Sequence, residues 1–226
     1  MKRNTFAFMR MFSFAICAPT LSLCLVACEP DNIEENDIPC APEHIHAVDL
    51  GLSVKWACCN VGANSPEEYG GYFAWGETEV KNYYEDPSYK WLIDSIGEMI
   101  KYNEADGKTT LDPEDDAAQV LWGDGWRMPT QAEMQELMDH CTWTWTIVNG
   151  VKGYKVSGNG NSIFLPAAGS YNNISLMNQG DRGCYLSSTL FSEDIELECC
   201  LGFNKNAYYS INDYRCKGHT IRPVRE

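Results

Sequence analysis

The chain has 226 residues, 44% apolar, 12% aromatic and 22% charged, a globular composition that excludes a fibrous or disordered protein. Lys+Arg 17 against Asp+Glu 32 leaves a formal charge of −15, which disfavours a phosphate backbone as a partner, and no nucleic acid is expected. The 11 cysteines, beside 18 glycines, 7 tryptophans and 12 tyrosines, point to an exported, loop-rich fold.

Residues 1–10 carry Lys2, Arg3 and Arg10, and an apolar run follows from Met11 to Ala27. A basic start before an apolar stretch this short reads as a secretory signal peptide, residues 1–27, rather than a membrane span. The run ends in Leu25-Val26-Ala27-Cys28, which resembles a bacterial lipoprotein box. That resemblance implies cleavage before Cys28 and lipidation of Cys28, with the lipid of the outer membrane as one partner. Cleavage would remove Cys17 and Cys24 and, with Cys28 lipidated, leave eight other cysteines in the mature chain. Residues 28–44 are acidic and proline-containing (EPDNIEENDIPCAPEH after the cysteine). They hold too little apolar surface to offset the entropy of ordering and read as a flexible tether. Acidic residues directly after the lipidated cysteine resemble the surface-export signal of Bacteroidetes lipoproteins, which implies a cell-surface location.

Residues 45–226 read as one domain. Val48, Leu50, Leu52, Val54 and Trp56 recur with period two, the pattern of a strand with one buried face. Residues 70–77 (GGYFAWGE) suggest a short aromatic strand. Residues 78–111 are polar and tyrosine-rich, with a weak helical patch near 91–100, and read as a long surface excursion and candidate binding loop. Asp112-Pro113-Glu114-Asp115-Asp116 before AAQVLW supplies a cap, a first-turn proline and first-turn acids for a helix. The same acids lack the spacing of an EF-hand calcium loop, and capping accounts for them. Thr130-Gln131-Ala132-Glu133 is a capping box for a second helix, whose apolar stripe is Met134, Leu137 and Met138. From Thr142 to Val148, Trp143, Trp145 and Ile147 alternate with threonines. Asn149-Gly150 and Asn159-Gly160 then mark two hairpin turns, giving a three-stranded meander to Pro166. Short apolar pieces separated by Gly, Asn and Asp fill the remainder, so the fold class is α+β.

Catalytic signatures are sparse. The chain lacks GxSxG, HExxH and a phosphate loop, and no pair of carboxylates has a spacing that argues for acid–base work. The eight cysteines contain no CxxC but two vicinal pairs, Cys58-Cys59 and Cys199-Cys200. On a strand, one of each pair would be a core residue and the other exposed. His44 and His46 could share a strand face, but no third metal ligand lies within sequence reach. No catalytic residue, metal ligand or cofactor is therefore assigned. Trp126, Met128 and Leu165 are expected as core anchors, Arg127 as a loop pin or carboxylate partner, and Arg222 and Arg225 as arginines of a closing strand that meet acids.

Five stretches, VDLGLSVKWACCNVGA (48–63), EEYGGYFAWGE (67–77), KTTLDPEDDAAQVLWGDGWRMPT (108–130), NGVKGYKVSGNGNSIFLPAAG (149–169) and IRPVRE (221–226), resemble the Fibrobacter succinogenes major paralogous domain family of Bacteroidetes lipoproteins. The WRMPT segment before a capped helix also looks like the formylglycine-generating-enzyme/sulfatase-modifying group. Both resemblances imply a C-type lectin-like fold: two short helices, a meandering antiparallel sheet and a long loop region that carries the ligand. Cys58 stands where the family commonly has threonine, Leu186 where it commonly has tryptophan, and Asp124 in a turn usually rich in Gly and Ser. Cys199, Cys200 and Cys216 do not reproduce the cysteine arrangement of the formylglycine-generating enzymes, so their activity is not implied.

Three functions are set against one another. The first is a surface-anchored, non-catalytic binding module for an extracellular glycan or protein. Its candidate ligand residues are Tyr171, Asn172, Asn173, Tyr208, Tyr209, Asn212, Asp213 and Tyr214, because tyrosine gives broad contact at little rotamer cost and amides give adaptable hydrogen bonds. Some C-type lectin-like proteins are diversified near the C-terminus by retroelements, which would make this a variable face. The second is an enzyme of the formylglycine-generating type, requiring a redox-active pair of Cys199 or Cys200 with Cys216. The third is a structural adhesin or assembly component.

Overall fold

The computed structural model describes residues 44–93, 97–123 and 125–226. The signal peptide, Cys28, nearly all of the tether and Asp124 lie outside the described residues. In chain order the strands are β1 (Ala47–Val48), β2 (Lys55–Ala57), β3 (Leu92–Ile93) and β4 (Glu98–Met99). The helices α1 (Ala117–Trp122) and α2 (Gln131–His140) follow. Then come β5 (Thr142–Val148), β6 (Val151–Gly158), β7 (Asn161–Pro166), β8 (Ser170–Asn172), β9 (Ser175–Met177), β10 (Arg182–Leu190), β11 (Leu197–Asn204), β12 (Ala207–Tyr214) and β13 (Val224–Arg225). Among the described residues all strand ladders are antiparallel, in three three-stranded sheets and two hairpins. With two helices, this is an α+β fold.

Local chemistry explains the regular parts. Thr130 accepts the Glu133 amide at 3.2 Å, and Glu133 returns a bond from the Thr130 amide at 2.7 Å, so α2 opens on the expected capping box. The first helix begins later than its sequence suggests. Pro113–Asp115 form only a 3-10 turn, and Asp116 caps α1, accepting from Ala118 at 2.9 Å and Gln119 at 3.0 Å. A third bond from the Met128 amide at 2.8 Å ties this cap to the strand-like segment that follows. Asn149 and Gly150, then Asn159 and Gly160, all have positive φ, the backbone of a two-residue turn matched to strand twist. The β5–β6–β7 meander follows from them.

The expected long first strand is instead two short ones. Gly51, at φ +78°, turns the chain between them, and only Val48↔Trp56 and Ala47↔Ala57 pair. Residues 70–77 are not a strand: Phe73 makes a single bridge to His219. The excursion at 78–111 is also not a free surface loop, and its helical patch is absent among the described residues. Tyr84, Tyr89 and Tyr102 are at most 3% exposed. The buried Arg215 holds the excursion, its Nε donating to the Tyr89 hydroxyl at 2.9 Å and its Nη atoms to the Lys101, Tyr102 and Ile195 carbonyls. A tyrosine-rich composition looked polar, but these hydroxyls are satisfied inside, so the rings can be buried.

Two large apolar clusters form the core. One lies between α2, the meander and β10–β11, around Trp56, Leu137, Leu165, Tyr185 and Phe203. The other lies around Trp75, Trp122, Trp126, Met128 and Ile221. Trp126, Met128 and Leu165 are core anchors as expected. β10 and β11 are buried almost residue by residue, because α2 and the meander pack on one face, Phe73, Trp75 and Leu111 pack with Leu186 and Leu190 on the other, and the backbone of Thr220 pairs with the edge of β10. The vicinal cysteines are accordingly all buried, not one in and one out. Cys199 and Cys200 sit on a strand covered on both faces, and Cys58 and Cys59 lie in the bend after β2.

Of the two C-terminal arginines, Arg222 departs from expectation. Arg222 is fully buried and, among the described residues, meets no acid: its four bonds go to Asn60 Oδ1 and to the carbonyls of Ala57, Cys58 and Phe164. Arg225 sits over the Trp126 ring at 5.4 Å. Arg127 does pair a carboxylate, binding Glu133 through both Nη atoms at 2.8 and 2.6 Å. Among the described residues no helix is long and apolar enough to cross a membrane.

Candidate functional site

Strand alternation divides the candidate ligand residues. The β11–β12 register is continuous from Leu197↔Tyr214 to Asn204↔Ala207, so Tyr208, Asn212 and Tyr214 share one face of β12 while Tyr209 and Asp213 share the other. Tyr208 is 38% exposed and its ring stacks on Trp143 at 4.4 Å with an 18° interplanar angle. Tyr214 is half exposed, at the opposite end of the strand, with Lys217 over its ring at 5.3 Å. Tyr209 and Asp213 line a narrow cleft with Gly183 and Cys184.

The Tyr171-Asn172-Asn173 group lies on the β8–β9 hairpin, and two of the three residues are structural. The Tyr171 ring stacks on Tyr84 at 5.3 Å and meets Tyr72 edge-on at 5.0 Å. Asn173 takes the left-handed conformation at φ +57°, exchanges backbone bonds with Tyr84 and donates from Nδ2 to Glu85 at 3.1 Å. Asn172 alone of the three is exposed.

The aromatic surface continues from Tyr208 along β5. Trp143 and Trp145 both project from the same face of β5, half buried, and both rings meet the edges of Tyr154 and Phe203. Trp145 then forms the wall of a cleft of about 390 Å³ whose other sides are Lys152, Asp181, Arg182, Asn204, Lys205 and Asn206. The β11–β12 turn is shaped locally: Asn204 Oδ1 accepts the Asn206 amide at 2.8 Å, and Lys205 is left pointing to solvent. Lys152 pairs with Asp181 at 3.3 Å, an exposed contact of little energetic weight. Arg182 and Lys205 have no side-chain partner among the described residues.

An aromatic wall beside two unpaired cations, in a chain of charge −15, can stack on a flat apolar face and pair with an anionic or hydroxyl-rich group at its edge. Of the eight candidate residues, Tyr208 adjoins this surface. Trp145, Arg182, Lys205 and Asn206 escaped the sequence reading. The alternation that marked β5 as a strand was visible, but its inner face read as core. Only the meeting of β5–β6 with the β11–β12 turn leaves Trp145 partly open.

The acidic cluster at 112–115 is already balanced. Asp115 takes Lys101 Nζ and the Tyr102 hydroxyl, at 2.5 and 2.6 Å, and Lys90 at 3.2 Å. Burial alone would raise the Asp115 pKa, but these donors outweigh it and hold the carboxyl below its ordinary value. Cys216 packs among Ala74, Tyr84, Tyr89 and Met99, whereas Cys200 meets Cys184 across the β10–β11 pair. Compared with protein-family profiles, curated proteins and solved structures, the chain matches none.

Proposed function

We propose that the protein is a surface-anchored, non-catalytic binding module, held to the outer membrane through lipid on Cys28, whose ligand is a glycan or protein engaged at the Trp145 cleft. The observation that carries this reading is the continuous strip Tyr208–Trp143–Trp145 ending at the unpaired Arg182 and Lys205. Aromatic faces suit the apolar faces of sugar rings, and the two cations favour a ligand with carboxylate or sulfate groups. Two helices followed by an antiparallel meander and a C-terminal β region that completes the strip with Tyr208 are in keeping with a C-type lectin-like fold and with the Fibrobacter succinogenes major paralogous domain resemblance. On this reading any C-terminal diversification would act at Tyr208 and the 204–206 turn.

The test is a glycan array and an extracellular-protein panel probed with the full chain, then repeated with Arg182→Ala, Lys205→Ala and Trp145→Ala. The expected result is a ligand bearing acidic groups, with binding weakened about tenfold or more by each change, as for loss of a charge-assisted contact or a stacked ring. Tyr214→Ala, at the far end of β12, should leave binding unchanged. Binding that survives both Arg182→Ala and Lys205→Ala undiminished would reject this cleft.

A further inference from the structure

The face of β10 and β11 that carries Cys184, Glu198 and Cys200, reached by the His219 side chain, holds a set of polar groups that the binding cleft does not use. Cys184 lies opposite Gly202 and Cys200 opposite Leu186, so the two cysteines are diagonal neighbours on one side of an antiparallel pair. Both are buried, and their sulfurs are 3.2 Å apart. That is closer than two sulfur atoms ordinarily rest without a bond, and about 1 Å of approach would bring them to a disulfide length of about 2.05 Å.

The surroundings are those of a reactive thiol rather than an inert one. His219, fully buried, stands beside Cys184, and the next residue, Thr220, donates its hydroxyl to the Cys184 carbonyl at 3.2 Å. The His219 Nε2 atom is 3.5 Å from Asp213 Oδ2 and 3.6 Å from Glu198 Oε1. Neither is a well-formed hydrogen bond: both His219 nitrogens and both Glu198 oxygens lack partners although fully buried. Burial opposes a charge on His219, but Cys184 and Asp213 outweigh it and push its pKa up, which favours the protonated imidazole. A hydrogen bond from Cys200, and then His219 acting against burial, hold the Cys184 thiol below its ordinary range. Cys184 also lines the narrow cleft beneath Tyr209 and Asp213, of about 110 Å³, with Arg182 at its edge. That space admits a molecule of a few atoms and excludes a peptide-sized disulfide.

We propose that Cys184 and Cys200 are a peroxide-oxidisable pair that closes to a β10–β11 disulfide in the folded protein. The Cys184 thiolate attacks one oxygen of hydrogen peroxide, the O–O bond breaks, and Cys184 becomes a sulfenic acid. The departing hydroxide takes the His219 proton and leaves as water. The Cys200 sulfur then attacks the Cys184 sulfur, forming the S–S bond and expelling the sulfenic hydroxyl, which leaves as a second water with the Cys200 proton. Overall two thiols and one peroxide give one disulfide and two waters. Cys58, Cys59, Cys141, Cys199 and Cys216 stay as thiols.

The test reduces the full chain, removes the reductant, and treats the folded protein with one equivalent of hydrogen peroxide or, separately, of glutathione disulfide. Alkylation under denaturing conditions and peptide mass mapping follow. Peroxide should give a linked 184–200 peptide lighter by two hydrogens, while glutathione disulfide should give far less of it in the folded state. Cys200→Ala should stop at a sulfenic acid on Cys184 that a dione reagent traps, and Cys184→Ala should abolish both products. Full alkylation of Cys184 and Cys200 after peroxide in the wild-type chain would overturn the proposal, as would links scrambled among the other cysteines. Since the wild-type map needs no variant, a variant that fails to fold leaves the test intact.

Discussion

Arg222 offers the sharpest probe of how the domain is closed. It is fully buried, and one guanidinium bonds two separate segments: residues 57–60, through Asn60 Oδ1 at 2.8 Å and the Ala57 and Cys58 carbonyls at 3.1 and 3.0 Å, and β7, through the Phe164 carbonyl at 2.8 Å. Burial pulls its pKa below the ordinary guanidinium value, as expected for a charge held by dipoles rather than by a carboxylate. Arg222→Met preserves much of the volume and removes all four donors. An unsatisfied buried acceptor costs about 1–3 kcal/mol, so four at the low end amount to about 4 kcal/mol. Relief of the arginine's own desolvation offsets part of this, leaving an expected loss of about 3 kcal/mol, a large share of the roughly 5–15 kcal/mol that holds a typical domain. Arg222→Lys keeps the charge but not the planar fork, and should lose about 2 kcal/mol. Urea denaturation followed by tryptophan fluorescence measures both. If Arg222→Met changes stability by less than about 1 kcal/mol, the four bonds only balance the cost of burying the charge, and the closure argument fails.

A methyl at Gly183 would be driven into the Phe203 ring, itself stacked on Tyr185. Gly183→Ala should therefore cost about 2–3 kcal/mol in the same assay, whereas Gly150→Ala, with open space around it and only its φ of +85° to strain, should cost about 1 kcal/mol. The Arg127–Glu133 pair sets an acid limit. Burial would raise the Glu133 pKa, but Arg127 and the Thr130 amide outweigh it and hold the carboxyl below its ordinary 4.5. A depressed carboxyl contributes stability above its unfolded pKa and loses it as pH falls through the folded value. Stability should thus fall below about pH 4.5 in the wild type, and Arg127→Met should flatten that part of the profile; an unchanged slope would remove the pair from the account.

Where a structural instruction is carried by residues a few positions apart, it could be read in advance. Thr130 with Glu133, Asn149-Gly150 and Asn159-Gly160 act through bonds and φ values within a turn, so α2 and the β5–β6–β7 meander were visible from their spacing. The burial of the tyrosines of 78–111 is not legible in the sequence, because composition cannot tell whether a hydroxyl will find a buried partner. Arg215, more than a hundred residues downstream of Tyr89 and Tyr102, decides that. The candidate site suffered likewise. Tyr208 was identifiable as an aromatic in a polar strand, but Trp145 and Lys205 become neighbours only when the meander meets the β11–β12 turn.

The local sequence pattern determined the α+β class, and the composition the net negative charge and the abundance of cysteine. Where those cysteines sit was decided by tertiary structure. Alternation along β11 assigned one of Cys199 and Cys200 to solvent, yet covering elements on both faces bury the two together. The pairing that matters, Cys200 with Cys184 beside His219, crosses a strand boundary. Periodicity describes which way a side chain points along its own strand; what it meets there is set by a different part of the chain.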